Sequence, residues 1–373
     1  MELSIDIETY SECPIKYSVY RYVDDPSFEI LLFGYCFDDG PVEVVDLTKE
    51  ELPPQVVAAL HNPDITKTAF NAAFEMTCLQ KIYPDMDITN WECTSVLALY
   101  CSLPTSLDAV SKALKLGVEK DSRGKSLIQY FSVPCKPTKS NKGTNSEFTG
   151  TTIRNRWSEY IEYNRQDVVV ERAIRNRLLP LKPPDIEHEY WLMDLAINRN
   201  GIAVDNKMID NALAFDDEFK RKLTVEASAL TGLENPNSPL QLKEWIENRL
   251  GHEIPGMTKA VVTDLLAEDL PADVRRVLEL RQMLGKTSVK KYAAMRNAEC
   301  SDGRIHGMLQ FYGAMRTGRW AGRIVQLQNL PRNYLEDLDT ARDALKQGDL
   351  EMFELLYGDV SDTLSQLYSQ HVL

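Results

Sequence analysis

Residues 1–8, Met-Glu-Leu-Ser-Ile-Asp-Ile-Glu, put Leu3 and Ile5 on one side and Ser4, Asp6 and Glu8 on the other, the two-residue period of a strand. A second apolar run, Glu29 to Phe37, is followed by an Asp38-Asp39-Gly40 turn and a third strand, Val42 to Asp46, as in a hairpin or meander. Helical and strand patterns then alternate. Leu52 to His61 is helical, Ile65 to Phe70 a short strand, and Phe74 to Tyr83, Thr94 to Cys101 and Leu107 to Leu114 have helical spacing. Residues 132–156, with Pro134, Pro137, Gly143 and Gly150, read as a long loop, and Trp157 to Leu178 as a strongly amphipathic helix. The run Leu179-Pro180-Leu181-Lys182-Pro183-Pro184 stops that helix and marks a linker.

Beyond it the pattern is mostly helical: Ile186 to Arg199, Lys207 to Leu230, Pro239 to Leu250, Lys259 to Ala267 and Ala272 to Asn297. Strand-like segments at Arg304 to Met315 and Ile324 to Gln328 precede an acidic tail beginning at Asn333. The expected architecture is an α/β domain over 1–180, a mixed sheet with flanking helices. A linker at 181–185 would lead to a mainly helical module with a short sheet over 186–373.

Composition is that of a globular chain, 43% apolar and 26% charged, and 373 residues favour two domains. The net charge of −14 excludes a basic nucleic-acid coat, yet two stretches run against it. Lys112 to Arg156 holds ten Lys/Arg against three acids, and Arg281 to Arg332 ten against two. Local basic surface suits a phosphate-bearing partner in a groove, or simply solvated lysine-rich loops. Tyr130, Phe131 and Trp157 flank the first stretch, and Tyr292, Phe311, Tyr312 and Trp320 lie in the second, positions that serve base stacking or a core. No apolar run approaches a membrane span and no secretory pattern opens the chain. Seven scattered cysteines without a C-x-x-C pair argue against zinc or disulfide frameworks and for a reducing cytoplasm. Gly285-Lys286-Thr287 resembles the end of a phosphate-cradling loop, but position 280 is leucine and no strand precedes it.

Three polar motifs carry candidate chemistry. Asp6 and Glu8 sit two apart on one strand and so share a face. Two neighbouring acids repel unless cations sit between them, although a polar strand face has the same pattern. Asn71 and Glu75, in Phe-Asn-Ala-Ala-Phe-Glu, fall at a strand-to-helix junction, where a cap and a first-turn acid are also expected. Tyr163 and Asp167 lie one turn apart on the long helix.

Taken in order, D-x-E, N-x-x-x-acid and Y-x-x-x-D resemble the DEDD exonucleases of the DnaQ-like superfamily, in the tyrosine-bearing subclass, over about residues 1–180. The resemblance implies a ribonuclease H-like fold and hydrolysis of phosphodiesters with two divalent metals, Mg²⁺ or Mn²⁺. Hard oxygen donors suit those ions, and a metal pair can stabilise both attacking and leaving oxygens. It implies that Asp6 bridges the metals, that Glu8 and Asp167 complete their shells, and that Glu75 helps directly or through water. Tyr163 would orient the attacking hydroxide and Asn71 position its motif. One departure is Glu75, where the family usually carries aspartate.

In the second half, Thr317-Gly318-Arg319-Trp320 and Leu327-Gln328-Asn329-Leu330-Pro331-Arg332 resemble the palm entry of family A DNA polymerases, the DNA polymerase I type with phage-like members. Met193 to Asp205 resembles the first helix of that polymerase domain, and Asn237 to Leu242 and Leu284 to Tyr292 its thumb. The resemblance implies contacts to primer–template or nucleotide from Arg319, Gln328 and Asn329, and to thumb phosphates from Lys286, Lys290 and Lys291. The family's polymerising carboxylates and nucleotide-binding helix find no counterpart, and the chain ends about where the first catalytic strand would begin. The expectation is a proofreading 3′→5′ exonuclease on single-stranded 3′ ends, joined to an incomplete polymerase domain, in a bacterial or phage-infected cytoplasm. The rivals are a non-catalytic DNA-binding fragment whose palm and fingers come from a partner chain, and a stand-alone RNA exonuclease of the ribonuclease D type.

Overall fold

The computed structural model describes residues 1–118, 123–134, 151–286, 289–314, 317–326 and 333–367, side chains of 151–154 excepted. The chain divides into two compact units, Met1–Ile202 with Ala298–Gln326, and Ala203–Asn297 with Leu327–Leu373. This division is not colinear with the expected boundary near 181–185, because the helix after the prolines and the segment from 298 cluster with the N-terminal residues.

The first unit is built on a mixed five-stranded sheet in the order β3-β2-β1-β4-β5. Its strands are β1 (Glu2–Tyr10), β2 (Glu29–Phe37), β3 (Glu43–Asp46), β4 (Thr66–Ala69) and β5 (Trp91–Cys93). Central β1 pairs antiparallel with β2 and parallel with β4. Helices α1 (Val19–Asp24), α2 (Pro54–His61), α3 (Ala72–Ile82), α4 (Thr94–Tyr100), α5 (Leu107–Leu114), α6 (Gly124–Phe131), α7 (Thr151–Leu178) and α8 (Asp185–Asn200) surround it. Leu3, Ile5 and Ile7 pack with Phe33, Val56, Leu60, Met76 and Leu79 on one face. The other face of β1 lies under α7 and carries Ser4, Asp6 and Glu8, of which Ser4 and Glu8 are buried. The alternation in β1 therefore separates two covered faces rather than core from water, and the second face holds polar groups because α7 brings them partners.

Several expectations shift. Of the loop expected over 132–156, residues 135–150 lie outside the described residues, and from Thr151 the chain is already helical, in α7. α1, α6 and β5 have no counterpart in the sequence reading; α1 and β5, at six and three residues, are too short for periodicity to register. The strand paired with Leu309–Ala314 is Arg319–Gly322; of the strand expected over Ile324 to Gln328, residues 324–326 are not strand and 327–328 lie outside the described residues. Gly318, at φ +64°, makes the turn earlier, and Ile324 itself sits at φ +59°, outside strand geometry. Most of the interleaved aromatics are core: Phe131, Trp157, Tyr292 and Phe311 are buried, and Trp157 Nε1 donates to Asp46 Oδ2 at 2.7 Å.

Arg175 fastens α7 to the sheet. It is 4% exposed; its Nε donates to Glu2 Oε2 at 2.9 Å, and its Nη2 reaches Glu92 Oε2 at 2.5 Å. Arg175→Ala removes the Glu2 contact while Glu92 keeps the Lys182 ammonium at 2.6 Å, and is expected to cost about 2 kcal/mol, read as a lower thermal midpoint.

The second unit is helical: α9 (Asn206–Thr231), α10 (Pro239–Leu250), α11 (Lys259–Leu266), α12 (Ala272–Leu284), α13 (Lys290–Ala298), α14 (Leu338–Gln347), α15 (Leu350–Tyr357) and α16 (Val360–Leu367). Asp205, Ser238 and Thr258 cap α9, α10 and α11 by accepting from backbone amides three residues on. The single helix expected over 272–297 is two, with Gly285 ending the first, and the described residues of the acidic tail, 333–367, contain three helices. Among the described residues no helix is long and apolar enough to cross a membrane.

Candidate functional site

Asp6 and Glu8 stand toward the carboxyl end of β1, facing α7. The β1–β2 ladder changes register there: Glu8 pairs with Leu32 and Thr9 with Ile30, leaving Leu31 as an extra residue. Such a bulge bends the strand and re-aims the neighbouring side chain. Asp167 on α7 points to the same place. One ligand oxygen from each of Asp6, Glu8 and Asp167 lies within 4.8 Å of the others.

Tyr163, one turn before Asp167, donates its hydroxyl to that carboxylate, as the i, i+4 spacing anticipates. Its phenol is pushed far above its ordinary range, first by burial and then by the charges of Glu8, Asp167 and Asp6, so the hydroxyl stays a proton donor. Two glycines make the room. A Cβ on Gly124, the first residue of α6, would come 2.1 Å from Tyr163 Cε2. One on Gly34, the β2 partner of Asp6, would come 2.6 Å from Asn164 Oδ1.

Two further residues belong to the site. Asn164 Nδ2 donates to Asp6 Oδ2 at 2.7 Å and to the Asp6 carbonyl at 3.1 Å. Tyr160 OH donates to Glu8 Oε2 at 2.5 Å. Both are fully buried. Sequence reasoning missed them, although their signal was present: positions 160, 163, 164 and 167 share one helical face, and a mid-helix asparagine needs a reason.

Glu75 stands apart from the group of three. It lies in the first turn of α3, buried, and its Oε2 has no hydrogen-bond partner. Burial foremost, with the charges of Glu171 and Glu8, pushes its carboxyl up to about 8. Glu171, one turn beyond Asp167, is equally buried and pushed up to about 7, again chiefly by burial. The Thr94 hydroxyl donates to one Glu171 oxygen, while the other, Oε2, has no hydrogen-bond partner. Asn71 is exposed at the N-cap of α3, but its side chain makes no capping bond.

Of the residues expected on nucleic acid, Lys290 and Arg319 are exposed. Lys286 forms ion pairs with Asp359 at 2.6 Å and Asp362 at 3.5 Å, which compete with any phosphate. Gln328 and Asn329 lie outside the described residues. An apolar cavity of about 510 Å³ opens beside Glu8, lined by Ile7, Thr9, Phe74, Ile128 and Val133 among others.

Three crowded carboxylates form a donor set of hard oxygens, unfavourable by itself and suited to Mg²⁺ or Mn²⁺. The residues present therefore fit divalent cations.

Comparison with known proteins gives the following. No family model matches the chain. It is 49% identical over 375 residues to the DNA polymerase of Bacillus phage SP02, covering 98% of this chain and 56% of that protein. The chain thus spans little more than half the length of this relative. A second match is to the GTPase-activating protein GYP5 of Eremothecium gossypii, 28% identical over 164 residues, 39% of this chain and 19% of that one. Among solved structures, the POL domain of Pol1 from M. smegmatis, in complex with DNA primer-template and dNTP, aligns with a TM-score of 0.49 and 16% identity. That alignment covers 91% of this chain and 53% of that one.

Proposed function

The chain is homologous, over nearly its whole length, to a phage DNA polymerase, and from that premise we propose that its acidic site is a 3′→5′ DNA exonuclease centre serving proofreading. Residues 1–180 would form a ribonuclease H-like, DnaQ-like domain of the tyrosine-bearing DEDD kind. Residues from 186 would form the thumb and palm entry of a family A polymerase domain. The observation that carries this reading is the convergence of Asp6, Glu8 and Asp167, from two elements far apart in sequence, within 4.8 Å, with Tyr163 bonded to Asp167.

Asp6, Glu8 and Asp167 would hold the cations, and Glu75 would need a side-chain rotation to join them. Bound divalent ions would supply Lewis-acid charge at the scissile phosphate. The chain's own groups do the rest. Tyr163, kept protonated, gives its one hydroxyl proton to Asp167, and its oxygen would accept from a water and hold it in line with the phosphodiester. The cavity beside Glu8 has the apolar lining and size for the terminal nucleoside of a single strand, with Phe74 available for stacking. DNA, as a single-stranded 3′ end or a primer–template, is the partner this implies.

The test is incubation of the full chain with 5′-labelled single-stranded DNA and Mg²⁺ or Mn²⁺. Stepwise shortening from the 3′ end is expected, abolished by EDTA and restored by added metal. DNA left intact under every metal condition overturns the nuclease reading and favours a DNA-holding role. Primer–template with deoxynucleotides should give no extension by residues 1–373, in which the polymerising carboxylates find no counterpart, and extension by them would refute that reading.

A further inference from the structure

Asp6 and Glu8 are not left to find their own orientations. Each is gripped by a side chain from α7 that is itself fully buried: Asp6 Oδ2 by the Asn164 amide at 2.7 Å, and Glu8 Oε2 by the Tyr160 hydroxyl at 2.5 Å. The same amide group also holds the Asp6 backbone carbonyl at 3.1 Å, so it fixes strand and side chain together. Gly34 leaves the space that Asn164 occupies, and a Cβ there would press on its Oδ1. Tyr160 is fixed in turn by Ser132 at 2.7 Å and by stacking on Phe131 at 5.2 Å and Tyr163 at 6.0 Å. Carboxylates that ligate metals are commonly oriented by such partners, whose loss weakens metal affinity roughly 10–100-fold.

We propose that Asn164 and Tyr160 are positioning residues that lock the Asp6 and Glu8 carboxylates in the orientation a divalent cation requires, an inference that rests on the proposed metal-dependent site. Neither touches the reacting atoms; they act through the two carboxylates. Preorganisation lets the three acids meet a cation without first losing side-chain freedom, and it holds them together against their mutual repulsion when none is bound.

Mn²⁺ binding by the full chain, followed by the loss of the free-ion electron paramagnetic resonance signal, tests this apart from catalysis. Asn164→Ala and Tyr160→Phe are each expected to raise the Mn²⁺ dissociation constant roughly tenfold or more. Strand cleavage lost at low Mn²⁺ should return at saturating Mn²⁺, a rescue that a misfolded site does not show. Tyr160→Phe keeps the ring and its stacking, so it reads the proposal even if Asn164→Ala fails to fold. Gly34→Ala, which displaces Asn164 without deleting it, should act in the same direction. Unchanged Mn²⁺ affinity in a folded Asn164→Ala or Tyr160→Phe overturns the proposal. If Asp6→Ala also leaves Mn²⁺ binding unchanged, the underlying reading of the acidic group is what fails.

Discussion

Asp6→Asn is expected to lower 3′-end cleavage by roughly 10³-fold or more while leaving the fold intact. The substitution keeps the shape and removes one charge from a group of three carboxylates that share a space of 4.8 Å. A bound cation is worth several kcal/mol of transition-state charge stabilisation, and each 1.36 kcal/mol lost is tenfold in rate. Thermal stability should move the other way. In EDTA the wild type holds three repelling acids, so the variant should melt at the same temperature or a higher one. Adding Mg²⁺ should raise the wild-type midpoint by mass action and leave the variant nearly unmoved. A variant that cleaves as the wild type does would remove Asp6 from the site.

The second large effect is a pH dependence. Glu75 has its carboxyl at about 8 in the folded chain, against an ordinary value of 4.5. Between those values the unfolded chain is ionised at this position and the folded one is not, so the folded state binds the extra proton. Stability from this group is therefore complete below about pH 4.5 and is lost as the pH rises toward 8. Glu75→Gln removes the dependence. In EDTA its advantage over the wild type should grow across that window to on the order of 4 kcal/mol, roughly 10 °C in the melting midpoint. Glu171, at about 7, leaves a residual slope in both proteins that ends sooner. Parallel melting curves at pH 5 and pH 8 would show that Glu75 ionises as an ordinary surface acid does.

What could be read in advance followed from period. The D-x-E spacing put two acids on one strand face, and Y-x-x-x-D put a phenol over a carboxylate, because strand and helix repeats fix both without tertiary knowledge. The long helices of the second unit were legible for the same reason, as the expected range Pro239 to Leu250 shows. What escaped depends on contacts across the chain. That β1 is covered on both faces follows from α7, more than 140 residues away in sequence, as the Asp6–Asn164 and Glu8–Tyr160 bonds show. Glu75 fitted its motif by spacing, yet sequence could not tell that burial beside Glu171 would leave it apart from the other three. For Trp157 and Phe131 both a stacking surface and a core stayed open, because composition does not distinguish a base from a core; burial of both, with the bond from Trp157 to Asp46, places them inside.

Tyr163, Asp167, Glu171 and Arg175 recur every four residues along α7, a polar file sealed against the sheet. The file works as a ratchet with one permitted notch. Each residue inserted into or deleted from the helix rotates everything beyond it by about 100° and advances it by about 1.5 Å. A single such change between Tyr163 and Arg175 would carry the guanidinium away from Glu2 and Glu92 and put Ile174, after an insertion, or Asn176, after a deletion, in its place. Length variation in this stretch is thus barred by geometry, while single-residue exchange on its outward side stays open.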